Sequence, residues 1–222
     1  MAKLEWDIAG QHFFETGVDH VVLFPQKNDG TYEKGVAWNG VTGITEKPSG
    51  ADSNPVYADN IKYLDLRSIE EYGLSIEGLS YPDEFAECNG LKEVATGVVI
   101  GQQARKGFGI SWRSRIGNDV VGDAYGYKLH LAYNCVAGVA ETQYQTVNNS
   151  PEQSTFSWDV TTTGVDPDAD ANTYRSTASI TIDATKATEA KVKALEALLY
   201  GTDSTESELP SISEVIDMFT KP

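Results

Sequence analysis

Three histidines, His12, His20 and His130, are the only imidazoles in the 222-residue chain, and none sits in a metal or nucleophile motif. GxSxG, Walker and HExxH sequences are absent. Gly107-Phe108-Gly109 is a fragment of a glycine-rich loop, yet it falls inside a strand pattern, where a bulge or tight packing explains it better. Thirty-three acids make neighbouring carboxylates common. Counting therefore marks no two of them as the acid and base of a glycosidase, because their separation is a three-dimensional fact. Asp166-Pro167-Asp168-Ala169-Asp170-Ala171-Asn172 resembles a calcium loop in its spacing, but an EF-hand needs Gly sixth and Glu twelfth. Here those positions hold Ala171 and Thr177, so the stretch reads as a solvated acidic loop. Cys88 and Cys135 lack a CxxC partner and read as small buried hydrophobes. Asn148-Asn149-Ser150 reads as a turn. No catalytic residue, cofactor site or metal ligand follows, and a non-enzymatic role is expected.

Charge is more informative. Lys and Arg number 17 against 33 Asp and Glu, a formal −16 at pH 7. That excess opposes any function that grips nucleic acid by neutralising phosphates, and equally any electrostatic hold on an anionic membrane. With 40% apolar, 10% aromatic and 23% charged residues, the composition is globular. The longest apolar runs, Val21-Val22-Leu23-Phe24 and Val98-Val99-Ile100, are far too short to span a bilayer, so no membrane anchoring is expected. The opening residues contain no apolar h-region, so synthesis in the cytoplasm is expected. The balance is uneven along the chain. Residues 68–91 carry Glu70, Glu71, Glu77, Asp83, Glu84 and Glu87 with no Lys or Arg, whereas Arg105, Lys106, Arg113 and Arg115 cluster just downstream. A protomer with an acidic and a basic region can pair head to tail with copies of itself.

The elements that position these groups read mainly as strands. Turn signals recur (Asn28-Asp29-Gly30, Asn39-Gly40, Asn54-Pro55, Asn89-Gly90), with short β-branched and aromatic stretches between them. Residues 20–24 and 35–38 read as early strands, and 62–66 and 72–79 as half-buried ones. The best hairpin spans 107–135: Phe108, Ile110 and Trp112 alternate on one arm and Tyr127, Leu129, Leu131, Tyr133 and Cys135 on the other, which predicts one apolar face and one polar face. Residues 155–161 and 177–182 continue the pattern. Only 185–200, rich in Ala, Leu, Lys and Glu, reads as an amphipathic helix, with Asp183 as N-cap and Gly201 as C-cap. A short second helix fits 211–219. Trp38, Trp112 and Trp158 belong to the core, and Trp6 is assigned there too.

Several blocks in one order resemble the major tail (tail tube) proteins of long-tailed, non-contractile bacteriophages. They are GVAWNGVTGITEKPSGADSNPVYADNIKYLDL (35–66), YPDEFAECNG (81–90), GVVIGQQARKGFGISWRSRIGNDVVGDAYGYKLHLAYNCVAG (97–138), YQTVNNSPEQSTFSWDVTTTGV (144–165), and ITIDATKA, LEALLYG and LP within 180–210. Together they cover about four-fifths of the chain. The resemblance implies a single tail-tube domain over 1–222, an antiparallel β-sandwich or partial barrel with one flanking helix at about 185–200. It implies hexameric rings that stack into a hollow tube for DNA ejection, with inner strands joined across subunits into one large barrel. The implied partners are the chain itself, a tape measure protein, baseplate or distal tail proteins and a terminator, in a virion tail. DNA would pass through without specific binding. No catalytic residue or cofactor is known for the family, so none is implied.

Set beside that resemblance, the stretch at about 45–60, rich in Gly, Ser, Pro and Asn, is expected to be a loop that orders against a neighbour, and the acidic extension 201–222 likewise. Arg105, Lys106, Arg113 and Arg115 are candidate inter-subunit contacts. The six acids from Glu70 to Glu87 are candidate lumen residues that repel the DNA backbone and keep its path slippery. Two other readings stay open: a tube subunit of a DNA-free tail-like particle such as a bacteriocin, and a soluble carbohydrate-binding or carbohydrate-active β-sandwich.

Overall fold

The computed structural model describes residues 3–142, 144, 146, 153–167 and 174–221. The 148–150 turn and most of the acidic 166–172 loop lie outside them. In chain order the strands are β1 (Phe13–Pro25), β2 (Val36–Ala37), β3 (Val41–Glu46), β4 (Ser49–Gly50), β5 (Ser53–Ala58), β6 (Ile61–Arg67), β7 (Glu70–Glu71) and β8 (Gly73–Gly78). After helix α1 (Phe85–Cys88) come β9 (Lys92–Ala95), β10 (Val98–Ile100), β11 (Phe108–Asn118), β12 (Gly122–Ala137), β13 (Phe156–Thr162) and β14 (Ser179–Asp183). Helices α2 (Glu189–Tyr200) and α3 (Ile212–Thr220) close the chain. The protein is mainly β. One antiparallel sheet runs β2-β1-β11-β12-β13-β8-β3, with β14 beside β12. It curls until residues of β3 come within 8 Å of β1, giving the sandwich with flanking helices.

Burial on both faces of the central strands organises this curl. Val21 and Leu23 of β1 join Phe108, Ile110, Trp112, Ile76 and Trp158 in one core. Val22 and Phe24 point the other way, into a second core with Leu129, Leu131, Leu195 and Val215. The long hairpin feeds both. Trp112 pairs with His130 and Arg113 with Leu129, so the apolar sets of β11 and β12 face opposite sides. The single apolar hairpin face read from the sequence is therefore wrong. Each strand alternates as expected, but their relative phase is set by what covers each face.

A bulge then resets the phase. Asn134 has a left-handed φ of 47°, and the register shifts so that Cys135 sits opposite Phe108 in the first core. Tyr32 locks the irregularity: the Asn134 amide donates to its hydroxyl at 2.9 Å, and that hydroxyl donates to Asn134 Oδ1 at 3.3 Å. Gln26 Nε2 adds a third bond to the same oxygen at 3.0 Å. In the first core, Phe85 packs against Trp158 at 5.1 Å and Trp38 at 4.5 Å between ring centroids. Both indole N–H groups are satisfied, by Ser80 O and Asn89 Oδ1.

Helix α2 begins later than the composition suggested. Asp183 caps the preceding turn, accepting from the amide and hydroxyl of Thr185, and Thr188 takes the N-cap position. Gly201, at φ 73°, ends the helix as expected. Residues past 201 are not a dangling extension. Ser211 and Glu214 form a capping box for α3, and Leu209, Ile212 and Val215 are buried in the second core. Helix α3 falls where the short second helix was expected and flanks the sheet together with α2.

The 45–60 region is likewise no loop. β4 pairs with β7 and β5 with β6, joined by a two-residue turn with Asp59 and Asn60 both left-handed. This arm continues the β3–β8 hairpin. All of 61–67 is exposed, including the 62–66 stretch expected to be half-buried.

Replacing Tyr32 by Phe should destabilise the fold by about 1–3 kcal/mol, since the Asn134 amide loses its acceptor in a half-buried setting. Urea unfolding measures this, with the exposed Tyr57→Phe expected to be neutral.

Candidate functional site

The cations expected at an inter-subunit contact are held within the chain. Arg113 clamps Asp19 through Nε at 2.6 Å and Nη2 at 3.2 Å, and lies 4.9 Å over the Tyr127 ring. Arg115 Nε reaches the same carboxylate at 3.1 Å, and the His20 ring stands 2.9 Å from it. Burial pushes the Asp19 carboxyl up, but hydrogen bonds from Arg113, Arg115 and His20 outweigh it and hold it at about 2. The cluster is reachable because β1 bulges at Gly17 and His20, where left-handed backbone turns Asp19 towards β11. Lys106 bridges Glu33 at 2.8 Å and Glu87 at 3.3 Å. Of these four cations only Arg105 has no carboxylate among the described residues; its Nη1 rests on Cys88 O and Asn89 Oδ1, both at 3.5 Å.

The six acids are spread over three places. Glu70 and Glu71 form β7 at the root of the arm. Glu77 is on the solvent face of β8, between Gly43 and Ser157 of the neighbouring strands. Asp83 and Glu84 sit in the turn into α1, while Glu87 on that helix is paired with Lys106.

His130 lies flat on Trp112, with centroids 5.1 Å apart, and links Ser114 Oγ at 2.9 Å to Thr181 Oγ1 at 3.2 Å. Glu46 is 3.9 Å from its Nδ1. Burial pushes this imidazole's pKa down, so it is neutral at pH 7 and its ring nitrogens are spent on cross-strand bonds. Both cysteines are buried and free, and burial lifts the Cys88 thiol to about 12. Among the described residues no group of three or more His, Cys, Asp or Glu is placed to hold a metal ion.

What the sequence reading missed is apolar surface. The arm exposes Val56, Tyr57, Ile61, Tyr63, Leu64 and Leu66, and Ile69 at its root is 86% accessible. The β9–β10 flap exposes Val94, Val98, Val99 and Ile100. Trp6, assigned to the core above, is instead 76% exposed, near Leu4 and Ile8 in a segment pinned by Asp119 to the amides of Gly10 and His12. Patches this extensive on a monomer mark association surfaces.

Two sheet edges are also free. The Ala184 amide donates to Tyr127 O and the Tyr133 amide to Ala178 O. By antiparallel alternation, the N–H and C=O groups of Ser179, Thr181 and Asp183 then point away from β12. No other strand pairs with β14, or with the outer side of β1 between Phe13 and Thr16, among the described residues.

No protein-family model and no curated protein matches the chain. Among solved structures, a chain in the "Cryo-EM structure of the anti-feeding prophage (AFP) baseplate, 6-fold symmetrised" is similar at a TM-score of 0.37 and 8% identity, covering 81% of this chain and 97% of that one.

The Asp19 cluster makes a pH prediction. Because its folded pKa lies below the ordinary carboxylate value, its stabilisation is complete above about pH 4 and fades as pH falls towards about 2. Asp19→Asn should cost about 2 kcal/mol at neutral pH, and the gap to the unmodified protein should close on acidification. Urea unfolding across that range measures it.

Proposed function

We propose that this chain is a non-catalytic building block of a phage-tail-type tube, assembling with copies of itself into rings that stack around a channel. One observation carries the reading: the free edges of β1 and β14. The ladder β1-β11-β12-β14 is antiparallel throughout, so its two outer strands run in opposite directions. Copies placed side by side in the same orientation therefore bring β14 of one against β1 of the next as an antiparallel pair. Such a contact is heterologous and closes into a ring when its rotation divides a full turn. Closure leaves no unpaired edge in the ladder.

The sequence blocks that resemble tail tube proteins support this reading, and so does the arm. An exposed hairpin 53–67 with apolar residues on it extends beyond its own sheet and suits contact with a copy in another ring. On this proposal DNA passes the channel without being gripped, which agrees with a formal charge of −16 per subunit.

Purified protein at rising concentration should show hollow rings or tubes in negative-stain images. A strictly monomeric species at every concentration would sink the reading. Thr181→Pro removes an outward-facing N–H from β14 without removing a β12 ladder bond, so it should block ring closure while circular dichroism stays native. Tubes that persist in this variant would rule out closure through β14.

A further inference from the structure

Beside the apolar β9–β10 flap runs a groove of about 460 Å3 whose walls include Leu91, Lys92, Gln103, Arg105 and Lys106. Lys106 is taken by Glu33 and Glu87. Lys92 and Arg105 have no carboxylate partner among the described residues, and Arg105 is steadied by the Cys88 and Asn89 oxygens behind it. Two cations with no ion pair among the described residues thus line one groove, and Lys92, opposite Ile100, leads into the flap where Val94, Val98, Val99 and Ile100 are exposed.

The same chain carries an opposite pattern. At the root of the arm, Ile69 is 86% exposed, and beside it Glu70 and Glu71 are exposed with no ion pair among the described residues. We infer that the groove and flap of one copy receive Ile69-Glu70-Glu71 of a second copy, carboxylates on Lys92 and Arg105 and Ile69 against the flap. This rests on the self-assembly reading above and deepens it by naming a contact. A guanidinium held from behind presents its remaining N–H groups as a fork suited to carboxylate. The contact also answers a physical need: subunits at −16 repel one another unless acids of one meet cations of the next. Placed there, Glu70 and Glu71 serve the contact between copies and not the channel wall.

Zero-length carbodiimide coupling of a mixture of ordinary and 15N-labelled protein, in its assembled state, tests this. The expected product is an isotopically mixed peptide pair joining Lys92 to Glu70 or Glu71. Lys92→Glu should abolish it and raise the concentration needed for assembly about tenfold. Adding Glu70→Lys to that variant should recover assembly, and circular dichroism of each monomer controls for folding. If assemblies form but the Lys92 couplings go elsewhere, or if Lys92→Glu assembles unchanged, the contact is overturned and the tube reading stands. If the unmodified protein never assembles, both fall.

Discussion

Everything in this molecule depends on a few strands being buried on both faces at once. Val21 to Phe24 of β1 alternate between two cores, and β11 and β12 do the same with opposite phase. A two-sided strand cannot slip by one residue, because a slip exchanges the contents of both cores. That rigidity fixes where the sheet must curl, where the helices must sit, and which lengths of strand are left over beyond the covered region. The leftover lengths are the parts that face other molecules.

Local periodicity made the central hairpin, β13, β14 and α2 legible, because each has a side-chain pattern that needs no partner to be recognised. The phase between β11 and β12 was not legible, since alternation within one strand says nothing about which face its neighbour shares. Residues 62–66 alternate as well as any buried strand does, yet they are exposed; whether an apolar stripe finds a cover depends on distant parts of the fold. The charged residues failed for a related reason. Arg113 reads as a free cation until Asp19, 94 residues earlier, is brought to it by a bulge that leaves no strong signature in sequence. The short helix at 211–219 was legible, but not that Ile212 and Val215, few and flanked by carboxylates, bury it in the second core.

Internal satisfaction of charge sharpens what remains outside. Asp19, Arg113, Arg115 and Lys106 are all paired within the chain. Lys92, Arg105, Glu70 and Glu71 are among the groups with no ion pair among the described residues. Beside each pair lies exposed aliphatic surface, so charge sets the pairing while apolar area supplies the adhesion.

The two thiols have a practical bearing. Cys88 and Cys135 are sealed in the first core with their protons held on by burial, so neither presents a thiolate to solvent at neutral pH. A single cysteine placed at the arm's tip would be the one fast-reacting sulfur in the native chain. A fluorophore there would report the arm's surroundings, monomer by monomer, without any need to strip the natural sulfurs first.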